Sequence, residues 1–361
     1  MFKKILSGIL ALTICLSAAG CSEKDDTSSD ISSDASSSPA AESESSETDS
    51  DEPSSDDEQS SDDESSKPDD TKTSDITPAM WKASGKDGNT VYFLGSMHAL
   101  NEDCYPLPDE IMDAYNSSDS LAVECDIYAY QSDMDAQMEL MMNMIYSDGT
   151  TIADHIDADL YESAKQILSD AGLYMALYDY YNEIIWQSLI EMAMIEEVGL
   201  ASEYGLDMYL LTTAHEEGKN IIEIESVEFQ NDLLYSQPDE LNMFMLETAV
   251  YYFEDQCEEL EKTFEYWCDG TLSDYMLEEE EINADDYEDI EVSDELLAMI
   301  DDYNTALLDD RNVGMAQKAI EMLENGDSVF YVVGAAHFVG DTGIVKLLED
   351  AGYTLEPIEY K

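Results

Sequence analysis

Two stretches near opposite ends of the chain decide the fold: Thr90-Val91-Tyr92-Phe93-Leu94-Gly95-Ser96-Met97-His98 and Ser328-Val329-Phe330-Tyr331-Val332-Val333-Gly334-Ala335-Ala336-His337. Each begins with a short run of aliphatic, β-branched and aromatic residues, which predicts a buried β-strand. Each run is broken by a glycine, which permits a sharp turn or a close approach of backbone. His98 and His337 should therefore lie just past the carboxyl ends of their strands, where open α/β sheets place their chemistry.

Two further predicted strands end in carboxylates. Leu121–Asp126 is apolar until it reaches Glu124, and Asn220–Glu225 ends in the same way. A carboxylate at the end of a core strand is unusual unless another group pairs with it. We therefore expect both glutamates in one site with the histidines. Arg311, the only arginine of the chain, precedes the second histidine stretch and is a candidate for a fixed charge-assisted contact.

Both ends of the chain follow one order: strand, Gly-x-x-His, loop, helix, strand. In the first half the helix is predicted from Asp109 to Asn116, and in the second half a helix that ends near Ala351 precedes a strand over Thr354–Ile358. The pattern predicts an α/β fold with a central sheet built from these two halves. It would bring His98 and His337 to one cleft.

A large helical insertion is predicted between the halves. Residues 129–200 and 231–310 carry apolar residues at helical spacing, and within the first range Leu177–Val198 predicts one long helix. Many methionines and tyrosines in these helices favour a core or groove lining. A methionine-rich face that binds other molecules adaptably is the alternative.

Four cysteines follow the predicted signal and stalk. Cys257 and Cys268 occur in one helical region and are candidates for a disulfide outside the cell. Cys104 follows His98 in the loop, and Cys125 directly follows Glu124. The sequence leaves open whether these last two are thiols, a disulfide or neighbours of a metal.

The amino terminus has the pattern of an export signal followed by a stalk. Residues 1–21 combine two lysines with a short apolar run and small residues before Cys21, as in a bacterial lipoprotein signal. A lipid on Cys21 would anchor the protein to the outer face of the membrane; an ordinary cleaved signal is the alternative. Residues 22–75 are almost entirely Ser, Asp, Glu and Thr, which predicts a disordered acidic stalk before a domain over 76–361.

The charge is strongly negative. Aspartate and glutamate number 85 against 14 lysines and arginines, a formal net charge of −71. This field repels nucleic acid and anionic lipid, so neither is expected as a partner, whereas cationic peptides and metal ions are permitted. The run Glu278–Glu281 predicts a solvated face or loop.

The expected site of two histidines and two glutamates suits a divalent metal. Imidazole and carboxylate ligands fit zinc, manganese, cobalt or iron with a position left for water, and such a metal supports hydrolysis. A metal-free site, with a histidine as base and a glutamate orienting it, is the alternative. A zinc helix of the His-Glu-x-x-His type is absent, because Lys219 occupies the second ligand position after His215.

A wider set of short motifs occurs in a fixed order. The motifs are Tyr92-Phe93-Leu94-Gly95-Ser96-Met97-His98, Val123-Glu124-Cys125-Asp126, Gly205-Leu206-Asp207, Gly218-Lys219, Ile224-Glu225-Ser226-Val227-Glu228-Phe229-Gln230, Arg311-Asn312 and Gly334-Ala335-Ala336-His337. With this set, residues 79–361 resemble the TraB/GumN family, which includes the bacterial pheromone-shutdown proteins and is related to the Tiki Wnt-inactivating metalloproteases. The resemblance implies a metal-dependent, peptidase-like site. Ser96 and Ser226 stand where the family often has threonine.

Together these observations predict a surface-tethered metallohydrolase that acts on extracellular peptides. The predicted metal ligands are His98, His337, Glu124 and Glu225. The predicted catalytic residues are Glu124, Glu225 and Arg311, and Gly95 and Gly334 shape the two histidine turns. A protein that sequesters a peptide without cutting it, and a metal-free His/Glu hydrolase, are the alternatives.

Overall fold

The computed structural model describes residues 73–277, 287 and 290–361. The predicted signal over 1–21 with Cys21, most of the predicted stalk, and the run Glu278–Glu281 lie outside the described residues.

Six strands of the described residues form one mixed sheet. The strands are β1 (Met80–Ser84), β2 (Thr90–Ser96), β3 (Ser120–Val123), β4 (Asn220–Glu223), β5 (Val329–Gly334) and β6 (Glu356–Pro357). They lie in the order β4-β3-β5-β2-β1-β6. The first four in that order are parallel, and β1 runs antiparallel to both of its neighbours. The carboxyl ends of β4, β3, β5 and β2 therefore meet at one edge.

The two histidine stretches lie side by side at the centre of this sheet. Strand β2 pairs in parallel with β5, so that Gly95 lies opposite Val333 and Ser96 opposite Gly334. The predicted α/β fold with two strand–Gly-x-x-His–helix–strand halves is confirmed. The halves differ in their last strands, because β3 runs parallel beside β5 whereas β6 is a two-residue edge strand antiparallel to β1.

Helices supply most of the remaining described chain. In chain order they are α1 (Asp109–Ser117), α2 (Ile127–Gln131), α3 (Met134–Asn143), α4 (Ala158–Asp170), α5 (Glu183–Glu197), α6 (Leu206–Glu217), α7 (Val227–Tyr235), α8 (Asp239–Tyr251), α9 (Phe253–Cys268), α10 (Leu272–Leu277), α11 (Asp294–Asn304), α12 (Asp310–Asn325) and α13 (Ile344–Asp350). A π-helical turn, Thr305–Asp309, joins α11 to α12. Within the described ranges, no helix combines the length and the apolar character needed to cross a membrane.

Strand β5 is buried on both faces, which explains its unbroken apolar sequence. Phe330 and Val332 face the large core formed with the helical insertion. The alternate residues Val329, Tyr331 and Val333 face a smaller core that includes residues of α12 and α13. The sheet thus forms the middle layer between two sets of helices.

Two sequence predictions about the helical insertion are wrong. The helix predicted over Leu177–Val198 begins only at Glu183, after a short 3₁₀ turn and extended backbone at Asn182. The apolar residues continue across this interruption, so the sequence pattern did not reveal it. Cys257 and Cys268 cannot form a disulfide, because both lie on α9 and are about 16 Å apart along its axis.

Candidate active site at the carboxyl edge of the sheet

The strand ends bring the predicted site residues together. Glu124 directly follows β3, and Glu225 comes two residues after β4. His98 comes two residues after β2, and His337 lies in the short 3₁₀ turn that follows β5. Arg311, in the first turn of α12, reaches the same edge from the helical side. Glu124, Glu225, Arg311 and His337 are joined by direct contacts into one cluster, and His98 lies near enough for the charges of Glu124 and Arg311 to affect its pKa.

Glu124 is the centre of this cluster. Its Oε1 accepts a hydrogen bond from the backbone N–H of Gly334 at 2.7 Å. Its Oε2 accepts from Arg311 Nη2 at 2.5 Å and from Gln230 Nε2 at 3.0 Å. Burial alone raises the pKa of Glu124, but the charge of Arg311, the two imidazoles and the Gly334 N–H together hold that pKa well below its usual range. Glu124 is therefore an anion in the folded protein.

Arg311 joins the two glutamates. Its Nε and Nη2 both donate to the carboxylate of Glu225, at distances of 2.9 to 3.1 Å, while Nη2 also reaches Glu124. Its Nη1 donates to the carbonyl of Leu307 in the π-helical turn, at 3.1 Å. Gln230 donates to Glu225 as well, at 3.0 Å. The arginine thus neutralises part of the negative charge that the buried carboxylates would otherwise leave uncompensated.

Asn312 holds His337 through the ring nitrogen Nδ1, while the other ring nitrogen, Nε2, lies toward Glu124. Its Nδ1 lies 2.7 Å from Asn312 Oδ1, and because the amide oxygen only accepts, Nδ1 carries the hydrogen. Burial, together with the positive charges of Arg311 and His98, outweighs Glu124 and lowers the pKa of His337 to about 3. The imidazole is therefore neutral near pH 7. Its Nε2 lone pair then faces Glu124 Oε1 at 3.7 Å, so that two acceptors point at each other.

His98 is held by an aspartate. Its Nδ1 lies 2.8 Å from Asp207 Oδ2, and Ser96 Oγ donates to the other oxygen of Asp207 at 2.7 Å. Burial is the largest influence and lowers the pKa of His98, but the charge and hydrogen bond of Asp207, with Glu124, outweigh it and raise the pKa above its ordinary value. Ser96 is fully buried and its hydroxyl is used as a donor to Asp207, which does not suit it to act as a nucleophile.

The two motif glycines allow close approach of backbone. A Cβ on Gly95 would lie 2.8 Å from the Cα of Ala335, closer than real Cβ atoms come. A Cβ on Gly334 would lie 3.2 Å from Glu124 Oε1. Neither glycine has a positive φ, so the space between the two histidine turns, and not backbone conformation, requires them.

Three site residues were not assigned from the sequence: Asp207, Gln230 and Asn312. All three are buried polar residues on helices, and each orients a predicted site residue through its side chain. Asn312 adjoins Arg311, and Gln230 comes five residues after Glu225. All three, Asp207 included, stand in the ordered motifs quoted above, which was the available signal.

The donor set fits a divalent cation in part. Both histidines bind an oxygen acceptor through Nδ1, which leaves Nε2 free in the manner of metal-ligating imidazoles. A cation between His337 Nε2 and Glu124 Oε1 would resolve their unfavourable approach, since two bonds of about 2 Å span such a gap. Glu225 is less available, because Arg311 donates to both of its oxygens. Among the described residues, no three His, Cys, Asp or Glu side chains are already arranged as ligands.

A solvent-open groove of about 620 Å³ lies beside the cluster. Its lining includes Asp126, two residues after Glu124, and Ser226, directly after Glu225. The carboxylates that line it are Asp126, Asp133, Glu139, Glu223, Glu228 and Asp232. No lysine or arginine is among its lining residues in the described chain.

The fold and the site define an α/β protein in which two histidines and two glutamates surround one arginine at the carboxyl edge of a mainly parallel sheet. A profile of the TraB/PrgY/gumN family matches residues 79–357, and the chain belongs to this family. The resemblance predicted from the ordered motifs is thereby confirmed.

Two curated relatives are similar to this chain. Each is described as uncharacterized protein YbaP, one from Escherichia coli (strain K12) and one from Shigella flexneri, and each is 22% identical over 178 residues. The match covers 49% of this chain and 63% of each relative, so the chain spans less than two thirds of their length. No solved structure matches the chain significantly.

Proposed function

We propose that this protein is a metal-dependent, peptidase-like hydrolase that acts on extracellular peptides while tethered to the outer face of the membrane through Cys21. The observation that carries the proposal is the approach of His337 Nε2 to Glu124 Oε1 at 3.7 Å, with Nδ1 of the same ring held by Asn312. A divalent cation held by both atoms would offset the negative charge of this buried carboxylate, as a proton on Nε2 would in a metal-free site.

In this proposal His98, His337 and Glu124 hold the metal. Asp207 and Asn312 orient the two imidazoles, as carboxylates and carbonyl oxygens do behind metal-binding histidines. Gly334 and Arg311 fix the Glu124 carboxylate and keep it ionised. When bound, a divalent metal lowers the pKa of its water and polarises a carbonyl, which supports hydrolysis.

Glu225 has a different role from the one the sequence suggests for it. Because it binds Arg311 through both oxygens, it serves here as the partner that orients the guanidinium toward Glu124. Arg311 itself is buried, with a 3% exposed side chain, and acts on the reaction through the charge that it places beside Glu124. Both residues are therefore positioning residues in this proposal.

The groove beside the cluster supports a peptide as the substrate. Its volume of about 620 Å³ is enough for several residues, and its lining residues Asp126 and Ser226 follow Glu124 and Glu225 closely in the chain. Five of its six carboxylates are exposed, Asp126 being paired with His215, and no lysine or arginine lines it, so it would accept peptides with lysine or arginine more readily than acidic ones.

Metal content tests the proposal directly. Purified wild-type protein should contain close to one equivalent of zinc, manganese, cobalt or iron by elemental mass spectrometry, and His98→Ala and His337→Ala should lose it. His215→Ala is the matched control, because His215 also pairs with an aspartate at 2.8 Å but lies outside the cluster. Equal metal in all four proteins, or metal in none, contradicts the proposal.

Turnover separates this function from the other candidates. A metal-free hydrolase is favoured by the His98–Asp207 pair, which would make His98 a base, and its activity would survive a chelator. Incubation with a mixed peptide library, followed by mass spectrometry with and without chelator, gives three distinct results. Cleavage that the chelator abolishes supports the proposal, cleavage that persists supports the metal-free site, and binding without cleavage supports sequestration.

The tether has its own test. Cells that express the full chain and are fed a labelled fatty acid should incorporate the label into the wild type but not into Cys21→Ala. Cys104→Ala, which changes a cysteine inside the folded domain, is the control that should keep the label. Equal labelling of wild type and Cys21→Ala contradicts a lipid on Cys21.

A further inference from the structure

Two cysteines from distant parts of the chain meet near the candidate site. Cys104 lies in a short 3₁₀ turn, Glu102–Cys104, in the loop that follows His98. Cys268 is the last residue of α9. Each thiol is the largest influence on the pKa of the other, and both cysteines are free. Cys104 Sγ also donates to Asn101 Oδ1 at 3.5 Å.

Backbone contacts hold these cysteines together independently of their side chains. Ser74 Oγ donates to the carbonyl of Cys104 at 2.9 Å. Thr77 N donates to the carbonyl of Cys268 at 2.6 Å. Because one segment of four residues binds both carbonyls, the backbones of the two cysteines are held in the same part of the fold.

The pair also connects two parts of the candidate site. Trp267, which precedes Cys268, donates through Nε1 to the carbonyl of Gly95 at 2.8 Å. Cys104 belongs to the loop that leaves His98. A covalent link here would therefore clamp the end of α9 to both sides of the first Gly-x-x-His motif.

The remaining cysteines of the folded part have other surroundings. Cys257 is buried on α9, and burial with the nearby charges of Glu197 and Glu254 raises its pKa to about 12. Cys125 donates its thiol to Gln230 at 3.2 Å. Cys104 differs from these, because the hydrogen bond from Cys268 outweighs burial and lowers its pKa. Thiolate character of this kind favours exchange reactions.

We propose that Cys104 and Cys268 are a redox pair that closes to a disulfide under oxidising conditions and thereby fixes the loop of His98 against α9. In the reaction the Cys104 thiolate first attacks an external disulfide oxidant, and one oxidant thiol leaves. The Cys268 thiol then loses its proton to solvent and attacks the Cys104 sulfur, which releases the second oxidant thiol. Two protein thiols lose two electrons and two protons, and the oxidant disulfide is reduced to two thiols.

The link should stabilise the folded chain. It would close a loop that spans β3, β4 and most of the helical insertion, and long loops give the largest restriction of the unfolded chain. We expect the midpoint of thermal unfolding to rise by roughly 5–10 °C on oxidation. The proposal stands whether or not the site binds a metal.

The experiment uses the full chain, treated either with oxidised glutathione or with dithiothreitol. After alkylation and proteolysis without reduction, mass spectrometry should find a peptide that joins Cys104 to Cys268 only in the oxidised sample. Thermal unfolding of the two samples should differ by the stated shift. Cys268→Ser should abolish both results, and Cys257→Ser should keep both.

Several results would overturn the proposal. Alkylation of Cys104 and Cys268 in the oxidised folded protein would show that the pair stays reduced. A joined peptide that involves Cys125 or Cys257 would assign the disulfide elsewhere. Equal midpoints of thermal unfolding in the oxidised and reduced samples would show that the disulfide does not fix the loop against α9. The search for the joined peptide uses the wild type alone. The proposal can therefore be contradicted even if a variant fails to fold.

Discussion

At the scale of single residues, Arg311 decides the electrostatics of the candidate site. Its guanidinium is nearly excluded from solvent and binds two buried carboxylates. Two negative charges so close together in a buried place are strongly unfavourable without a counter-charge. Burial alone lowers the pKa of Arg311, but Glu124 and Glu225 outweigh it and raise the pKa above its ordinary value, so the arginine is always charged.

Replacing Arg311 should therefore destabilise the protein strongly. We expect Arg311→Met to lower the free energy of unfolding by about 3–5 kcal/mol at pH 7, because it leaves Glu124 and Glu225 unpaired. Arg311→Lys should recover only a small part, since lysine cannot donate to both carboxylates with a planar fork. Urea unfolding followed by circular dichroism measures both changes.

The same helix offers a matched control. Lys318 of α12 forms an exposed ion pair with Glu321 at 3.7 Å, and half of each side chain is exposed. Lys318→Met should change the free energy of unfolding by less than about 0.5 kcal/mol. A similar cost for Arg311→Met and Lys318→Met would show that the buried arginine does not compensate the glutamates.

Asp207 should control the protonation of His98. The raised pKa of His98 means that its charged form stabilises the fold below the ordinary pKa, and that this contribution is lost as pH rises through the folded pKa. Asp207→Asn removes the main raising charge, so burial should then lower the pKa of His98 below 6.5. An NMR titration of the imidazole resonances measures this pKa.

Sequence reasoning found the residues at strand ends and, of the helical residues, only Arg311. His98, Glu124 and His337 follow buried strands, and parallel strands bring their ends to one edge. Asp207 and Asn312 reach the edge from helices, whose packing against the sheet depends on tertiary contacts that no local pattern encodes. A buried Asp in a helix looks, in sequence, like any exposed Asp.

At the scale of elements, helix α5 is unusual because it is buried on nearly every side and yet contains a carboxyl group. Glu191 is 3% exposed, and its one hydrogen bond recorded among the described residues is from Gln187 to Oε1 at 3.0 Å. Burial outweighs this bond and raises the pKa of Glu191 from 4.5 to about 8. The folded protein therefore holds this carboxyl in its neutral form near pH 7.

This gives a pH dependence of definite sign. Neutral Glu191 contributes its full stability below pH 4.5, and the contribution is lost as pH rises toward 8, because the unfolded chain ionises first. Glu191→Gln cannot ionise. Its free energy of unfolding should therefore exceed that of the wild type by an amount that grows by about 1.4 kcal/mol per pH unit over this window, to about 3 kcal/mol at pH 7. Urea unfolding at several pH values between 4.5 and 8 measures the difference.

Glu196→Gln provides the comparison on the same helix, because Glu196 is exposed. The free energy of unfolding of Glu196→Gln should equal that of the wild type at each pH measured. If Glu191→Gln also follows the wild type, then the buried carboxyl is solvated or paired in a way that cancels its desolvation.

The elements that sequence predicted well are those with a strong apolar run and a glycine. Strands β2 and β5 meet both conditions, and their observed bounds differ little from the predicted ones. Strand β1 was not predicted, since Met80–Ser84 is short and carries Lys82 at its centre. The start of α5 was misplaced because the residues on both sides of Asn182 are equally apolar and aromatic.

At the scale of the whole molecule, the net charge of −71 affects stability. Like charges on a compact chain repel one another, and salt screens that repulsion. We expect the midpoint of thermal unfolding to rise by a few degrees between 10 and 200 mM sodium chloride, as the screening length falls from about 30 Å to below 10 Å.

Potassium chloride should give the same rise, because screening depends on ionic strength and not on the identity of a monovalent ion. A midpoint that falls with salt would mean that attractive ion pairs outweigh the repulsion. A rise limited to one cation would instead indicate specific binding.

The pairing of β2 with β5 has a consequence for the order of events during synthesis. Val91 lies opposite Val329, so the two central strands are 238 positions apart along the chain. Chains are made from the amino terminus, and pairings between distant segments form late. A ribosome-bound chain that already contains His98, Glu124 and Glu225 still lacks Arg311 and His337. Arg311 and His337 are therefore made after the other residues of the cluster, so that the cluster can assemble only late in synthesis.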